Sequence, residues 1–332
     1  MNAVRIERIW YGHEPVPWWL RVLVPVYQGL RLLDRAPWTL GLRRVTRLPV
    51  PVIVVGNLTV GGTGKTPLVI ALVEALRAQG FRPGVVSRGY GGRVRSPLLL
   101  DDRPDPAEVG DEPSLLRRRT RVPVAVGRDR GRAARLLLAQ GVDVVIADDG
   151  LQNLSLARDL EICVIDGERR FGNGRLLPAG PLRESVARLA EMAFVVCNGG
   201  PAAAGEVPMR LEGDIAVALA GAEPSRPLAA FAAQRVHAVA GIGHPARFFA
   251  QLRAHGVVVV EHALPDHHAL TEADFAFGEA LPVLMTEKDA VKCAHWARAD
   301  WWCVPVRADL PQAFLERVVE QVRQRKGAAR SP

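Results

Sequence analysis

The sequence predicts an α/β protein with a mostly parallel sheet covered by helices on both faces, plus a smaller α/β second domain. Three observations indicate this fold. Short apolar runs alternate with helical stretches from residue 50 onward, a glycine-rich turn joins one run to a helix, and the alternation resumes after a linker near residue 222. Apolar runs separated by helices are typical of parallel strands that are buried on both sides.

Each element of the first domain is predicted from an apolar run bounded by turn residues. The predicted strands are PVIVVGN, PGVVS, VPVAV, VDVVIADD, LEICVID and AFVVCNGG, and the helices between them include PLVIALVEALRAQG and RGRAARLLLAQG. Ligands of such folds bind beyond the carboxyl ends of the strands. We therefore expect the functional residues at these ends.

The second domain is predicted from the runs VHAVAGIG, GVVVVEH, LPVLMTEKD and WWCVPV, with GAEPSRP as the linker before them. The stretch LPQAFLERVVEQVRQR predicts a final helix that we expect to fold back onto the first domain. The predicted boundaries are an amphipathic helical segment at 1–45, a first domain at 46–222, a second domain at 223–310, and a helix and tail at 311–332.

Composition restricts the class of partner. The 332 residues contain 43 Lys and Arg against 35 acids, a formal net charge of +8. This basic balance suits phosphate-bearing partners, either nucleic acid or an anionic membrane surface, and charge alone does not choose between them. Only four of the bases are lysines, namely Lys65, Lys288, Lys292 and Lys326. A lysine within a motif is therefore less often incidental here.

The four cysteines show no metal-ligand or redox spacing. They are Cys163, Cys197, Cys293 and Cys303. Because three of them lie in apolar, strand-like runs, they are interpreted as buried free thiols in a reducing cytosol.

The N-terminal segment differs from the rest of the chain. Four of the seven tryptophans (Trp10, Trp18, Trp19, Trp38) lie within it, and residues 1–50 carry eight arginines and three acids, a net charge of 8 − 3 = +5. It lacks the pattern of a secretory signal and the roughly 20 apolar residues of a membrane span. Aromatic residues interleaved with arginines suit a helix that lies among lipid headgroups. The alternative is an amphipathic helix that packs on its own domain.

The stretch TVGGTGKT, residues 59–66, follows a predicted strand and opens a predicted helix. Its glycines let backbone N–H groups approach phosphate oxygens, and the helix N-terminus adds a positive dipole end. Lys65 would neutralise the β- and γ-phosphates and Thr66 would bind Mg²⁺. The usual pattern begins with glycine, where this chain has Thr59. The predicted ATP-binding residues are Thr59, Val60, Gly61, Gly62, Thr63, Gly64, Lys65 and Thr66.

A second motif, VVIADDG, places Asp148 and Asp149 at the end of a buried strand. A carboxylate in this position reaches Mg²⁺ directly or through water. Two adjacent acids after an apolar run could also form a simple turn. The phosphate-binding motif upstream favours the metal site.

Further stretches combine into a more specific pattern. They are GNLTVGGTGKTP, SRGYGG (87–92), GDEP (110–113), DDGLQN (148–153), DGERRFGNGRLLPAGPLRE (166–184) and TEKDAVK (286–292). Together they resemble the tetraacyldisaccharide 4′-kinase family, the lipid A 4′-kinases of Gram-negative bacteria, over nearly the whole chain. The resemblance implies a P-loop fold in which Thr59 is no departure.

The resemblance also implies an activity and a location. The enzyme would move the γ-phosphate of ATP, with Mg²⁺, to the 4′-hydroxyl of a tetraacylated glucosamine disaccharide 1-phosphate. It would lie peripherally on the cytoplasmic face of the inner membrane, contacting anionic lipid through its N-terminal segment and binding no nucleic acid.

Roles follow for residues that match the family's motifs. The resemblance implies that Asp111 takes the proton from the sugar hydroxyl, and that His267 orients or tunes this aspartate from the second domain. Glu112, with Asp148 and Asp149, matches acids near the metal. Three further matches are groups around the phosphates and sugar: Arg130, Gln152 and Arg183. One departure is His244 in GIGHP, where asparagine is expected.

Two other classes of function stay open from the residues alone. One is a P-loop GTPase or metal-delivery ATPase, since TEKD superficially matches a guanine-reading [NT]-K-x-D motif, although its lysine stands one position late. The other is a non-enzymatic module that binds a membrane or nucleic acid. The intact Gly64–Lys65–Thr66 sequence and the paired aspartates argue against the second.

Overall fold

The structure is a computed structural model that describes residues 3–220 and 225–328. The α-helices are α1 Ala3–Tyr11, α2 Trp18–Thr39, α3 Lys65–Ala78, α4 Pro106–Val109, α5 Asp111–Thr120, α6 Arg130–Leu138, α7 Pro245–Ala254, α8 Glu287–Cys293 and α9 Gln312–Ala328. Short 3₁₀ helices lie at Val186–Glu191, Leu228–Phe231 and Glu272–Phe275.

The strands form two sheets. The first sheet contains β1 Val52–Gly56, β2 Pro83–Ser87, β3 Leu98–Leu99, β4 Val124–Val126, β5 Val144–Asp148, β6 Leu160–Asp166, β7 Phe194–Asn198, β8 Val207–Glu212 and β15 Arg307–Asp309. The second contains β9 Ile215–Ala218, β10 Ser225–Pro227, β11 Arg235–Ala240, β12 Val258–Ala263, β13 Val283–Thr286 and β14 Trp301–Val304.

The first sheet has the order β15-β8-β7-β6-β1-β5-β2-β4-β3, with parallel pairing from β8 to β4 and antiparallel strands only at its edges. Strand β1 lies between β5 and β6, pairing Val54 with Ala147 on one side and with Glu161 on the other. The chain crosses from one side of β1 to the other between β5 and β6. A crevice is expected at the carboxyl ends of strands where the order reverses in this way.

Separate hydrophobic cores cover the two faces of this sheet. One core joins apolar residues of α3, α5 and α9 to the sheet, and the other joins residues of α6 to it. The prediction of a mostly parallel sheet with helices on both faces is confirmed. All five residues of β1 are buried, and so are those of β2 and β5, because strands covered on both faces have no solvent-facing side.

The second sheet has the order β10-β9-β14-β13-β11-β12. Its central strands are parallel, and β9 and β10 are antiparallel. The division between the two sheets differs from the boundaries expected from the sequence. Strand β9 belongs to the second sheet although it lies before residue 223, and β15, inside the expected second domain, pairs with β8 of the first sheet. Both strands are too short to show a period in the sequence. Of the expected linker, residues 221–224 lie outside the described part of the chain.

The N-terminal segment forms two helices with a break at residues 12–17, where glycine and two prolines interrupt the pattern. Ile9 and Leu20 pack on Ala179 in a small apolar cluster. Most of the large apolar side chains of α2 point away from the body, with Trp18 75% exposed and Trp19 42% exposed. In residues 3–220 and 225–328, no helix combines the length and the apolarity needed to cross a bilayer.

Helix α9 packs on the first sheet. Phe314, Val318 and Val322 are buried in the core that α3 shares with the sheet, and the ring of Phe314 meets that of Phe194 edge to face at 5.1 Å. The last chain segment thus covers the same face of the sheet as α3.

We expect Phe314→Ala to lower the free energy of unfolding by about 3–5 kcal/mol, because it removes a buried ring and leaves a cavity. Chemical denaturation of the whole protein measures this change. Glu320→Ala, on the exposed side of the same helix, is the matched control and should change stability by less than about 0.5 kcal/mol. Equal effects of the two substitutions would show that α9 is not part of the folded core.

Candidate functional site

A cleft of about 510 Å³ lies between the two sheets. The first sheet's wall is the loop of residues 60–66 with the side chains of Asp149 and Arg183, at the carboxyl ends of β1 and β5. The second sheet's wall is the loop of residues 242–244 with the side chains of His267 and Lys288. A ligand in this cleft would touch groups from both sheets.

The glycine-rich loop has the geometry of an anion cradle. Gly61 has φ 104° and Gly64 has φ 92°, backbone conformations that other residues rarely adopt. A Cβ at Gly64 would also lie 2.4 Å from the Asn198 side chain, which donates a hydrogen bond to the Thr63 carbonyl. The loop ends at the N-terminus of α3, whose unpaired N–H groups favour negative charge.

The first residue of the predicted cradle lies outside the cleft. Thr59 is buried and forms an antiparallel bridge with Leu182. The next residue, Val60, lines the cleft and donates its N–H to the Pro181 carbonyl at 2.9 Å. Glycine is not required at position 59, because Thr59 pairs like a strand residue and the positive φ angles occur later in the loop, at Gly61 and Gly64.

Lys65 begins helix α3 and lies at the floor of the cleft. Its Nζ donates to Asn57 Oδ1 at 3.3 Å and lies 3.5 Å from Asp149 Oδ1. Asn57 also donates to the Gly61 carbonyl at 3.2 Å, so it fixes both the lysine and the loop. The ammonium is thereby aimed at the space where a phosphate on the loop would sit.

The two aspartates after β5 differ in environment. Asp148 is fully buried and accepts a hydrogen bond from Ser87 Oγ at 3.4 Å. Burial, together with the charges of Glu112 and Asp149, raises the pKa of Asp148 to about 7. Burial alone would raise the pKa of Asp149, but the charges of Lys65, Arg183 and Arg130 outweigh it and lower that pKa to about 2.

These acids fit a divalent cation. Asp148 Oδ1 is buried and has no hydrogen-bond partner among the described residues, and burial, followed by the charges of Glu112 and Asp149, raises the pKa of this carboxyl. Thr66 and Glu112 line the cleft nearby. In residues 3–220 and 225–328, no three His, Cys, Asp or Glu side chains form a complete metal site. Mg²⁺ needs no such set, since it is commonly held by one or two carboxylates with waters and substrate phosphates.

Of the three polar residues expected around phosphates and sugar, only Arg183 lines the cleft. Its Nη1 donates to both oxygens of Asp149 at 3.3 Å and to Gln152 Oε1 at 3.3 Å. Gln152 lies behind it and donates to the Asn57 carbonyl at 3.1 Å.

Arg130 is only 2% exposed and donates to the backbone carbonyls of Asp148 and Asp149 at 3.0 and 3.1 Å. Burial lowers its pKa to about 10, which leaves it charged at neutral pH. In this structure Arg130 holds the aspartate turn from behind. It fixes Asp149, whose φ is 48°, in the left-handed region.

Asp111 pairs with His267, whose ring lines the cleft. Asp111 is the first residue of α5, and its Oδ2 lies 3.2 Å from His267 Nδ1 and 3.6 Å from Lys292 Nζ. Burial raises the pKa of Asp111, but the hydrogen bond from His267 and the charges of Lys292 and Lys288 outweigh it. The result lies below the usual value.

Lysine contacts assign the tautomer of His267. Its Nε2 lies 3.3 Å from Lys288 Nζ, and an ammonium can only donate, so Nε2 accepts. Nδ1 therefore carries the ring proton and donates it to Asp111. The ring also packs edge to face on Tyr90, with centroids 4.9 Å apart.

No role was predicted for Lys288 and Lys292, yet three of the four lysines of the chain, Lys65 among them, lie in or beside the cleft. Lys288 pairs with Asp266 at 2.8 Å and with Glu112 at 3.6 Å, and Lys292 pairs with Asp289 at 3.0 Å. Two features of the sequence pointed to a role for these lysines: lysine is rare in the chain, and both lie in the TEKDAVK stretch. Within that stretch Asp289 is fully buried and accepts from Gly241 N–H at 2.8 Å. Asp289 is therefore not available to bind a guanine base, as the GTPase alternative would require.

His244 occupies the position where asparagine was expected. It lies at the cleft between the two sheets. Its Nδ1 is 4.0 Å from Asp166 Oδ2, and Arg247 Nη2 is 3.3 Å from Asp166 Oδ1. Burial and the charges of Arg169 and Arg247 lower the pKa of His244. Nothing in the structure explains why this chain has histidine there.

All four cysteines are free and buried, as expected. Burial raises the pKa of the Cys163, Cys293 and Cys303 thiols to about 12. They take no part in the site.

Comparison with known proteins gives concordant matches. The family model described as tetraacyldisaccharide-1-P 4′-kinase, LpxK, matches residues 16–323. A tetraacyldisaccharide 4′-kinase of Stenotrophomonas maltophilia is 54% identical over 315 residues, covering 92% of this chain and 93% of that protein. One of Xanthomonas euvesicatoria is 51% identical over 334 residues, covering 97% of this chain and 96% of that protein.

Among solved structures, the chain is similar to the "apo" form of LpxK from Aquifex aeolicus in complex with ATP. The TM-score is 0.73 at 28% identity, covering 92% of this chain and 98% of the other. Sequence and fold therefore point to the same family.

Proposed function

The chain belongs to the tetraacyldisaccharide-1-P 4′-kinase family, and we propose that it transfers the γ-phosphate of ATP to the 4′-hydroxyl of a tetraacylated glucosamine disaccharide 1-phosphate. The observation that carries this proposal is the pairing of Asp111 with His267, whose ring lines the same cleft as the P-loop. A phosphate-binding loop alone would suit many nucleotide-binding proteins. A carboxylate held next to the cleft by a histidine supplies what a hydroxyl acceptor needs.

The P-loop side binds the transferred group. Backbone N–H groups of residues 61–66 would hold the phosphates, and Lys65 would offset the charge that spreads over the γ-phosphoryl oxygens. Arg183 lines the cleft beside Asp149, where its guanidinium would meet the phosphates. We assign Mg²⁺ to Thr66, Asp148, Asp149 and Glu112. When bound, it would polarise the phosphates and lower the charge around Asp148.

Asp111 is the general base in this proposal. A sugar hydroxyl is a weak nucleophile near neutral pH, so a carboxylate that accepts its proton promotes attack. The lowered pKa of Asp111 keeps it ionised, and His267 orients it by donating from Nδ1. Lys288 in turn holds the ring of His267 from the second sheet.

The position of the site between two sheets serves specificity. Lys65 and Asp111 begin helices α3 and α5 on the side of the first sheet. His267, Lys288 and Lys292 lie in the loop after β12 and in helix α8, on the side of the second sheet. The full set of contacts exists only when both walls are together. Enclosure excludes water, which would otherwise compete with the sugar hydroxyl for the γ-phosphate.

The outward face of α2 is the proposed membrane contact. Trp18, Val22, Val26, Leu30 and Leu33 are exposed and recur at helical spacing on one side. Such a stripe suits burial in the interfacial region of a bilayer, with nearby arginines on anionic headgroups. We place the enzyme peripherally on the cytoplasmic face of the inner membrane, where this helix would bring the cleft to an acylated acceptor. We expect no nucleic acid partner.

The direct test is incubation of the purified protein with MgATP and a tetraacylated disaccharide 1-phosphate, followed by mass spectrometry. We expect an added phosphate that fragmentation places on the 4′-oxygen. A strong preference for GTP would support the GTPase alternative. Failure to turn over ATP with any lipid acceptor would support the non-enzymatic one.

We expect Lys65→Ala to reduce phosphoryl transfer by roughly three orders of magnitude or more, because no other ammonium replaces it at the cleft floor. Lys65→Arg should also impair turnover, since a planar fork does not reproduce a point charge. Steady-state kinetics with ATP measures both, and Lys326→Ala, at the surface of α9, is the control. Near-normal turnover of Lys65→Ala would contradict the P-loop assignment.

We expect Asp111→Asn to lower kcat by about 10²–10⁴-fold with ATP affinity nearly unchanged. His267→Ala should give a smaller loss, and the double variant should lose less than the product of the two. Because His267 lowers the pKa of Asp111, its removal should move the acidic limb of the pH–kcat profile to higher pH. An unmoved limb, or strict multiplicativity, would mean that the two residues do not act together.

We expect Trp18→Ser/Trp19→Ser to reduce co-sedimentation with anionic vesicles and to raise the KM for acceptor presented in bilayers. The KM for ATP and the thermal midpoint should change little, since neither ring is buried. Wild-type binding should weaken with salt without vanishing, because part of it is apolar. Vesicle binding that survives the substitutions would place the membrane contact on another surface.

A further inference from the structure

Helix α2 is attached to the phosphate site by polar groups on its inward face. The Tyr27 hydroxyl donates to the Arg183 carbonyl at 2.9 Å, and Arg31 Nη2 donates to Glu184 Oε1 at 2.5 Å. Arg35 Nη2 forms an ion pair with the same oxygen at 3.1 Å. Because these three residues recur every fourth position, they form one stripe along the helix, on the side opposite the exposed apolar stripe. The helix proposed to meet the membrane therefore touches the two residues that end the GPLRE stretch.

Glu184 continues this contact toward the P-loop. Its Oε2 accepts from Gln152 Nε2 at 3.3 Å, and the same Nε2 donates to the Asn57 carbonyl at 3.1 Å. Asn57 holds Lys65, and Gln152 Oε1 accepts from Arg183. Hydrogen bonds thus link the carboxylate of Glu184 to both cationic side chains of the phosphate site.

The charge of Glu184 needs the helix. Glu184 is 7% exposed, and among the described residues the cations within 4.0 Å of its carboxylate are Arg31 and Arg35. A buried carboxylate that loses its partners is strongly unfavourable. Without the two arginines, an uncompensated negative charge would also lie beside a site built for a polyanion.

We propose that Arg31 and Arg35 are positioning residues of the nucleotide site, through which α2 keeps the charge of Glu184 from opposing ATP. The helix then has two faces with separate tasks: the outward stripe meets lipid, and the inward stripe sets the electrostatics of the P-loop. This inference rests on the proposed function only in taking MgATP as the ligand.

The test is the affinity for MgATP, measured by calorimetry on the full chain without lipid or acceptor. Arg31→Gln/Arg35→Gln makes the local charge more negative by two units and should weaken binding by roughly a hundredfold, since each unit charge acting over roughly 10 Å at an effective dielectric constant of about 20 is worth about tenfold. Adding Glu184→Gln to this double variant should recover about tenfold of the lost affinity, because it removes the unpaired charge. Arg307→Gln/Arg323→Gln, which removes two charges from exposed ion pairs, is the matched control and should bind like the wild type.

The rescue separates an electrostatic role from a merely structural one. If the arginines only held the helix in place, the triple variant would bind no better than the double, and the proposal would be wrong. An unchanged affinity of the double variant would also overturn it. A wild-type chain that bound no MgATP would instead contradict the proposed function itself.

Discussion

The buried ammonium of Lys65 is the interaction around which the rest of the site is arranged. It lies at the start of α3, at the carboxyl end of β1, and it is balanced by Asp149 and the amide oxygen of Asn57. A buried cation must be compensated, and a phosphate site must also leave it able to accept a further anion. The structure meets both needs with partial compensation at 3.3 to 3.5 Å. Arg183 and Arg130 then balance the aspartates that face the lysine.

The same principle connects the two sheets. The first contributes acids at its cleft wall, Asp111 and Glu112, and the second contributes bases, His267, Lys288 and Lys292. Opposite charges on the two sides attract each other and hold the two sides together. The chain passes between the sheets at residues 213–214 and 305–306, and Gly213 lies against Pro305, where a Cβ would stand 2.7 Å from its carbonyl oxygen. The two connections therefore run side by side.

Helix α2 reverses the usual distribution of side chains in a surface helix. Its exposed side carries tryptophan, valine and leucine, whereas its inward side carries Tyr27, Arg31 and Arg35. Only Leu20 of this helix is fully buried. Large exposed apolar faces mark surfaces that bind another protein or a membrane. The inward polar contacts give that helix a fixed place relative to the P-loop, while its apolar side chains stay exposed on the outward face.

Much of this protein is determined by local sequence. Alternating apolar runs fix a parallel sheet because strands buried on both faces must be apolar throughout, and TVGGTGKT fixes the cradle because its turn needs positive φ angles at glycine. The aspartate pair and the amphipathic N-terminal helices were likewise visible from patterns of a few residues. Short strands such as β9 and β15 were not, since their place depends on pairing with distant partners. The same holds for the convergence of Lys288 and Lys292 on Asp111, for the burial of Arg130 and for the neutralisation of Glu184 by α2. These contacts join residues up to 181 positions apart. Their energies depend on burial and distance, which only the tertiary structure decides.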